Sequence, residues 1–477
     1  MPLPAAARLD HRYVWHPFTQ MQDWLRTEPI VLVSGRGAVL RDAHGREYLD
    51  ANASIWTNLH GHQHPRLNAA LRAQLGRVAH TSALGFASEP ASQLAAQLVR
   101  AAQTPRATRF RGQPRLRKVF FSDNGSTALE VALKLAFEFA RRTRGLTHPR
   151  FLSLQGAYHG DTVGAVSLGH IDLFHAAYSK LLFRTSPVMA PYCYRCPFNR
   201  ARADRAEART YRKCGWECVG KVEQSFDLAA RRRQPIAAFA VEPHIQGAAG
   251  LIAQPEGWLQ RTAAIARHHG ALLIADEVMT GFGRTGGSSL FASHHEQVQP
   301  DLLCLAKGLT GGYLPMAATL TTQAIFDAFL GDYAEFKTFF HGHSFTGNPL
   351  GAAVALASLA ELRRPEGLAH RRRLEQHLTR ELATLWSHPH VGDLRQTGLI
   401  AGIELVQDWT TRQPFPLAAR VGIRVCEAMA RRGVLTRPIG NVIVLMPPYC
   451  TTLRQASRMV SALAESLEEV LPHHRGR

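Results

Sequence analysis

The feature that most constrains the fold is a series of short apolar runs separated by helical stretches. Lys118-Val119-Phe120-Phe121, Phe151-Leu152-Ser153-Leu154, Ala237-Ala238-Phe239-Ala240-Val241, Ala271-Leu272-Leu273-Ile274-Ala275 and Leu302-Leu303-Cys304-Leu305 are apolar at positions that would face both sides of a sheet. Such strands must be covered on both faces, so the runs predict an α/β fold with a mainly parallel central sheet between helices. A chain of 477 residues has room for that large domain and a smaller one. The expected division is 1–60 as an N-terminal segment of the small domain, 61–350 as the large domain and 351–477 as the C-terminal small domain. Residues 30–50, with the turn Asp42-Ala43-His44-Gly45, predict a hairpin attached to the small domain. A long Ala/Leu-rich helix is expected after Asn348-Pro349, and strands at Leu399–Leu405 and Val442–Leu445.

No run reaches the roughly 20 apolar residues that cross a bilayer, and the N-terminus has no charged segment followed by an apolar one. A cytoplasmic protein is therefore expected. The formal charge of +19 suggests a nucleic-acid binder. However, the arginines are spread along the whole chain without interleaved aromatics, which favours compositional bias over a binding stripe. Only seven of the 56 basic residues are lysines, so a lysine within an apolar, glycine-flanked segment stands out. Four of the seven cysteines, Cys193, Cys196, Cys214 and Cys218, lie in a polar, Arg-rich insertion at 191–220. Their C-x2-C and C-x3-C spacing suggests a structural zinc site, with four free thiols as the alternative.

Three segments carry chemistry. Lys307 follows the run ending at Leu305 and opens a Gly-rich turn, Gly308 to Gly312. In an apolar pocket its charged form is disfavoured, and the free amine is a nucleophile toward a carbonyl. Asp276 emerges at the end of another buried strand, the edge where α/β enzymes bind ligands. There a carboxylate can keep a pyridine nitrogen protonated. Ser122-Asp123-Asn124-Gly125-Ser126-Thr127 reads as a strand, a small-residue turn and a helix start, whose unpaired N–H groups attract an anion. Together the segments supply a phosphate cup, a ring-nitrogen partner and an aldehyde partner, pointing to pyridoxal 5′-phosphate.

Asp276-Glu277-Val278-Met279-Thr280-Gly281-Phe282-Gly283-Arg284-Thr285-Gly286, followed by Lys307, resembles the signature of class III (ω-type) aminotransferases. The resemblance covers nearly the whole chain and implies a fold-type I, pyridoxal-phosphate-dependent homodimer with active sites shared between subunits. Tyr13 to Met21, Gly156 to Thr162, His341 to Pro349 and Thr436 to Gly440 are similar to one branch of that family. That branch aminates 8-amino-7-oxononanoate to 7,8-diaminononanoate in biotin synthesis. The resemblance implies that Gly125 and Ser126 hold the phosphate, Tyr158 stacks on the ring, Asp276 pairs with its nitrogen and Lys307 carries the cofactor and moves protons. Gly342, His343 and Ser344 would come from the neighbouring subunit, with His343 and Ser344 near the phosphate. Phe18, Ile55, Trp56 and Gly342 would line the substrate pocket, and Arg437 would clamp a substrate carboxylate. Arg284 is read either as a second pocket residue or as structural. Ser54-Ile55-Trp56 stands where the family often has Trp-Trp, Phe18 where many members have Tyr, and Ser344 where Thr is frequent. The first two departures leave open S-adenosylmethionine or lysine as donor, and an ornithine, GABA or diamine aminotransferase as the alternative. A fold-type I decarboxylase or mutase is a further one.

Overall fold

The computed structural model describes residues 4–103 and 112–472. All five apolar runs form strands of one seven-stranded sheet, in the order Leu116–Ser122, Ala317–Thr322, Leu302–Leu305, Leu272–Asp276, Ile236–Val241, Arg150–Leu154, Ser186–Val188. The strands run parallel except Ala317–Thr322, which pairs antiparallel with both of its neighbours. Side chains alternate across the pleat. Leu302 and Cys304 join Ala128, Val131 and Leu135 of the helix Gly125–Arg144 on one face. Leu303 and Leu305 meet Leu94 and Leu98 of Glu89–Ala102 and Ala352 and Ala355 of Pro349–Leu362 on the other. Both faces are thus closed to water, as continuous apolar strands require.

Residues 30–50 form three strands rather than a simple hairpin: Leu32–Arg36, Val39–Asp42 and Glu47–Asp50. The extra reversal falls at Gly37, whose φ of 57° suits glycine. The last of these strands pairs in parallel with Val434–Leu435, tying the N-terminal segment to the C-terminal part of the chain. A second sheet is built on Val391–Thr397, Ile400–Asp408 and Val442–Leu445. The helices Pro365–Ala383, Val421–Arg431 and Leu453–Val470 cover it, through Leu378, Val425 and Leu463. Among the described residues no helix is long and apolar enough to cross a membrane.

The cysteine-bearing insertion is fastened to the second sheet. Arg195 pairs with Glu404 at 2.6 Å, and Arg209 donates to the carbonyls of Gln254 and Gln396. Among the described residues no group of three or more His, Cys, Asp or Glu side chains could hold a metal ion. The zinc expectation is corrected accordingly. Cys218 packs with Val222, Phe226 and Trp258, Cys193 packs with Tyr194 and Ala208, and Cys214 Sγ accepts a hydrogen bond from Arg212. Burial pushes the Cys193 thiol up to about 12 and that of Cys218 to about 11, which keeps both protonated.

Candidate active site

Four strands end at the same edge of the large sheet, and polar residues lie at or just beyond their ends: Asp123, Glu242, Asp276 and Lys307. They line a cavity of about 460 Å³ that also takes in Trp56, Gly125, Ser126, Tyr158 and His159. This is the C-terminal strand edge at which open α/β sheets bind ligands. The cavity gathers residues from six separate stretches of chain.

Lys307 leaves its strand with φ of 39°, a left-handed conformation that turns the side chain into the cavity. Its Nζ lies 5.0 Å from the centroid of the Trp56 ring. Burial lowers its affinity for a proton below the ordinary lysine value, while Asp276 and Glu242 oppose that shift. Asp276 is 5% exposed. One carboxylate oxygen accepts the Val278 N–H at 3.0 Å, and the other faces His159 Nδ1 at 2.7 Å. Glu242, also buried, accepts the Gly247 N–H at 3.0 Å. Burial and the nearby Asp276 push its carboxyl well above the usual range.

The anion-binding end is a helix start. Asn124 caps Gly125–Arg144 by accepting the Thr127 N–H at 3.0 Å, which leaves the first-turn N–H groups of Gly125 and Ser126 without an intrahelical acceptor. Ser126 Oγ accepts the Asp161 N–H at 2.9 Å and keeps its own proton to donate. A Cβ at Gly125 would come within 2.7 Å of Val278 Cγ1, and one at Gly160 would overlap the Ser126 hydroxyl. Only glycines permit this close packing of the helix start, the 158–161 loop and the Asp276 strand. Tyr158 donates to Asp161 at 2.6 Å, which holds its ring along the cavity wall.

Of the expected site residues, Gly125, Ser126, Trp56, Tyr158, Asp276 and Lys307 line this cavity. Phe18 lines an adjoining cleft with Asp161 and His175, its ring 5.3 Å from that of Phe174. Ile55 is next to Trp56 but 46% exposed. His343 pairs with Asp123 of its own chain at 2.9 Å, while Gly342 and Ser344 lie outside the cavity. Arg437 is exposed and makes no hydrogen bond or ion pair with the described residues. Arg284 is structural: it is 1% exposed, donates to the Pro447 carbonyl at 2.7 Å and lies over Tyr449. Sequence reasoning passed over His159 and Glu242. Glu242 follows Ile236–Val241 as Asp276 ends its own strand, so the strand-end argument applied to it too. His159 follows Tyr158 in a stretch noted only for its resemblance.

This site on this sheet defines a class of enzyme. A family model for class-III aminotransferases matches residues 21–467, and the chain belongs to that family. It is 47% identical to adenosylmethionine-8-amino-7-oxononanoate aminotransferase of Geobacter sulfurreducens, over 97% of both chains. It is 44% identical to the Anoxybacillus flavithermus protein of the same name, over 96% of this chain and 95% of that one. The crystal structure of that aminotransferase from Methanocaldococcus jannaschii is similar with a TM-score of 0.87 at 36% identity, covering 97% of this chain and 98% of the other.

The cofactor of the family is pyridoxal 5′-phosphate, and the cavity fits it. The glycine-lined helix start matches a phosphate, the His159-backed carboxylate matches a pyridinium nitrogen, and the desolvated amine of Lys307 matches an aldehyde. His159 Nε2 is buried without a hydrogen-bond partner among the described residues.

Proposed function

We propose that this enzyme transfers an amino group to 8-amino-7-oxononanoate, giving 7,8-diaminononanoate for biotin synthesis. S-adenosylmethionine, which the relatives' names carry, is the leading donor. The observation that carries this reading is the placement of Lys307, Asp276 and the Gly125–Ser126 helix start in one cavity, within a chain 47% identical to an aminotransferase of that name. Pyridoxal phosphate, when bound, supplies the electron sink that makes the donor's α-proton removable. Lys307 would hold the cofactor through its amine and, once displaced, would act as general acid and base at the reacting carbon. Asp276, held by His159, would pair with the ring nitrogen, and Tyr158 would stack on the ring. Gly125 and Ser126 would donate to the phosphate.

Outside the cavity, the unpaired Arg437 clamps the carboxylate of the oxo-acid, a task suited to a planar two-donor group. Gly342, His343 and Ser344 complete the neighbouring site in a cytoplasmic homodimer, and Phe18 and Ile55 border the path by which substrate enters. The test is a donor panel with 8-amino-7-oxononanoate as fixed acceptor. Diaminononanoate formed with S-adenosylmethionine supports the reading, and its formation with lysine reassigns the donor. Amination of ornithine- or GABA-derived aldehydes but not of this acceptor would overturn it.

A further inference from the structure

The wall that carries Ile55 and Trp56 has an uncommon backbone. Ala53, Ser54, Ile55 and Trp56 have φ of 43°, 48°, 64° and 70°, and ψ is 52° at Ser54 and 53° at Ile55. This is one turn of left-handed helix, closed by hydrogen bonds from Trp56 N to Asn52 O (2.9 Å) and from Thr57 N to Ala53 O (3.0 Å). L-residues avoid this conformation because Cβ crowds the following carbonyl, and a β-branched residue such as Ile55 does so most strongly. None of the four is glycine, so side-chain contacts from outside the turn hold it against its own preference.

Asp50 supplies those contacts. It ends the strand Glu47–Asp50, is 3% exposed, and lies outside the cavity lining. One carboxylate oxygen accepts the N–H of Ser54 at 3.0 Å and of Asn52 at 3.3 Å. The other accepts the Ser54 hydroxyl at 2.8 Å and faces His62 Nε2 at 3.3 Å. Asn52, oriented within this cluster, accepts the Trp56 indole N–H at 2.8 Å. The product of the turn is the position of the indole. Trp56 lies over Lys307 Nζ and packs against Gly247, where an added Cβ would be 3.2 Å from Trp56 Cζ3. A right-handed turn would swing both Ile55 and Trp56 to other directions.

We infer that Asp50 is a positioning residue: by locking residues 53–56 in the left-handed turn it sets the substrate-pocket wall opposite Lys307, and so governs substrate binding rather than proton transfer. The inference rests on the aminotransferase reading. If that reading fails, the unmodified enzyme shows no transamination, an outcome distinct from any difference between variants.

The test compares cofactor-loaded wild type, Asp50→Asn and Asp50→Asn/Ser54→Gly. Asparagine has a single acceptor oxygen and cannot serve both sides of the cluster. Asp50→Asn is expected to raise KM for the amino donor roughly tenfold while kcat stays within about threefold. Adding Ser54→Gly should recover most of that KM, because glycine adopts the left-handed conformation without penalty. A role confined to stability would lower active enzyme without splitting KM from kcat and would not be rescued by glycine. An unchanged KM in folded Asp50→Asn, or equal loss in both parameters without rescue, overturns the inference. If Asp50→Asn does not fold, Ser54→Ala removes only the 2.8 Å hydroxyl bond and carries the same test. It should raise KM about threefold, and an unchanged KM would count against the inference.

Discussion

Lys307 joins three properties that are rarely found together: a left-handed backbone, a buried amine and two carboxyl groups facing it, Asp276 and Glu242. Burial favours the free amine, and the two carboxyl groups oppose that shift. The sequence marked Lys307 by its isolation, since lysines are few and this one follows a buried strand. It marked Asp276 by the same strand-end logic. The contact between Asp276 and His159 was out of reach, because the two lie 117 residues apart and only the sheet brings them together. Lys307→Ala is expected to abolish transamination while leaving the fold largely intact. Borohydride reduction of the wild-type enzyme should fix pyridoxal phosphate to the peptide containing Lys307, and recovery on another lysine would refute the assignment.

The helix Gly125–Arg144 is the element on which the site most depends. Its capping box, with Asn124 and Thr127 bonded reciprocally, defines where the helix begins and hence which N–H groups remain free for an anion. Asn124→Ala should lower stability by about 1 kcal/mol, as removal of a capping side chain does. It should also weaken pyridoxal phosphate binding, measurable by equilibrium dialysis against the cofactor. Loss of stability with unchanged cofactor affinity would limit Asn124 to the helix itself. Among the strands, the five apolar runs were readable because burial on both faces leaves a continuous apolar trace. Ala317–Thr322 was not, because Thr319, Thr321 and Thr322 break that trace although the strand is buried throughout. Its Thr319 hydroxyl is satisfied by the Ala128 carbonyl at 2.9 Å, a contact with the site helix that sequence alone does not reveal.

At the scale of the whole molecule, buried titratable groups link the fold to pH. His60 bonds to Ser358 Oγ at 2.9 Å and so joins the segment after the left-handed turn to the helix Pro349–Leu362. Burial, reinforced by His64, Arg371 and Arg284, lowers its pKa from 6.5 to about 3. The unfolded chain therefore binds a proton that the folded protein excludes across that window. Stability falls as pH drops through it, by about 1.4 kcal/mol per pH unit for this one group. His60→Asn should make the acid limb of the unfolding free energy shallower by about one proton, as read from urea titrations between roughly pH 6 and 4. An unaltered slope would show that His60 is already protonated in the folded state. A different set of charges ties the second sheet to the segment before Ile252–Ala253. Arg395, 2% exposed, pairs with Asp393 at 3.0 Å and Glu404 at 2.7 Å and donates to the carbonyls of Gly250 and Leu251. Glu404 in turn binds Arg195 of the insertion, so an insertion that reads as a polar loop is fastened at both ends.

By itself the sequence determined the α/β class, the five core strands and the helix after Asn348, and it singled out Lys307, Asp276 and the Gly125–Ser126 helix start, which line one cavity. These follow from local rules of apolar continuity, capping and strand-end placement, which act over a few residues. Tertiary structure alone decided three further points. Arg284 became a structural residue because its guanidinium meets the Pro447 carbonyl and Tyr449 rather than a cavity. Among the described residues the four cysteines form no metal-holding group, and Cys218 and Cys193 pack instead among apolar side chains. Residues 53–56 turned left-handed against their local preference because the buried carboxylate of Asp50 holds them there. The outcome depends on partners distant in sequence or, for the turn, on a nearby carboxylate that burial fixes in place, and neither leaves a periodic or compositional trace.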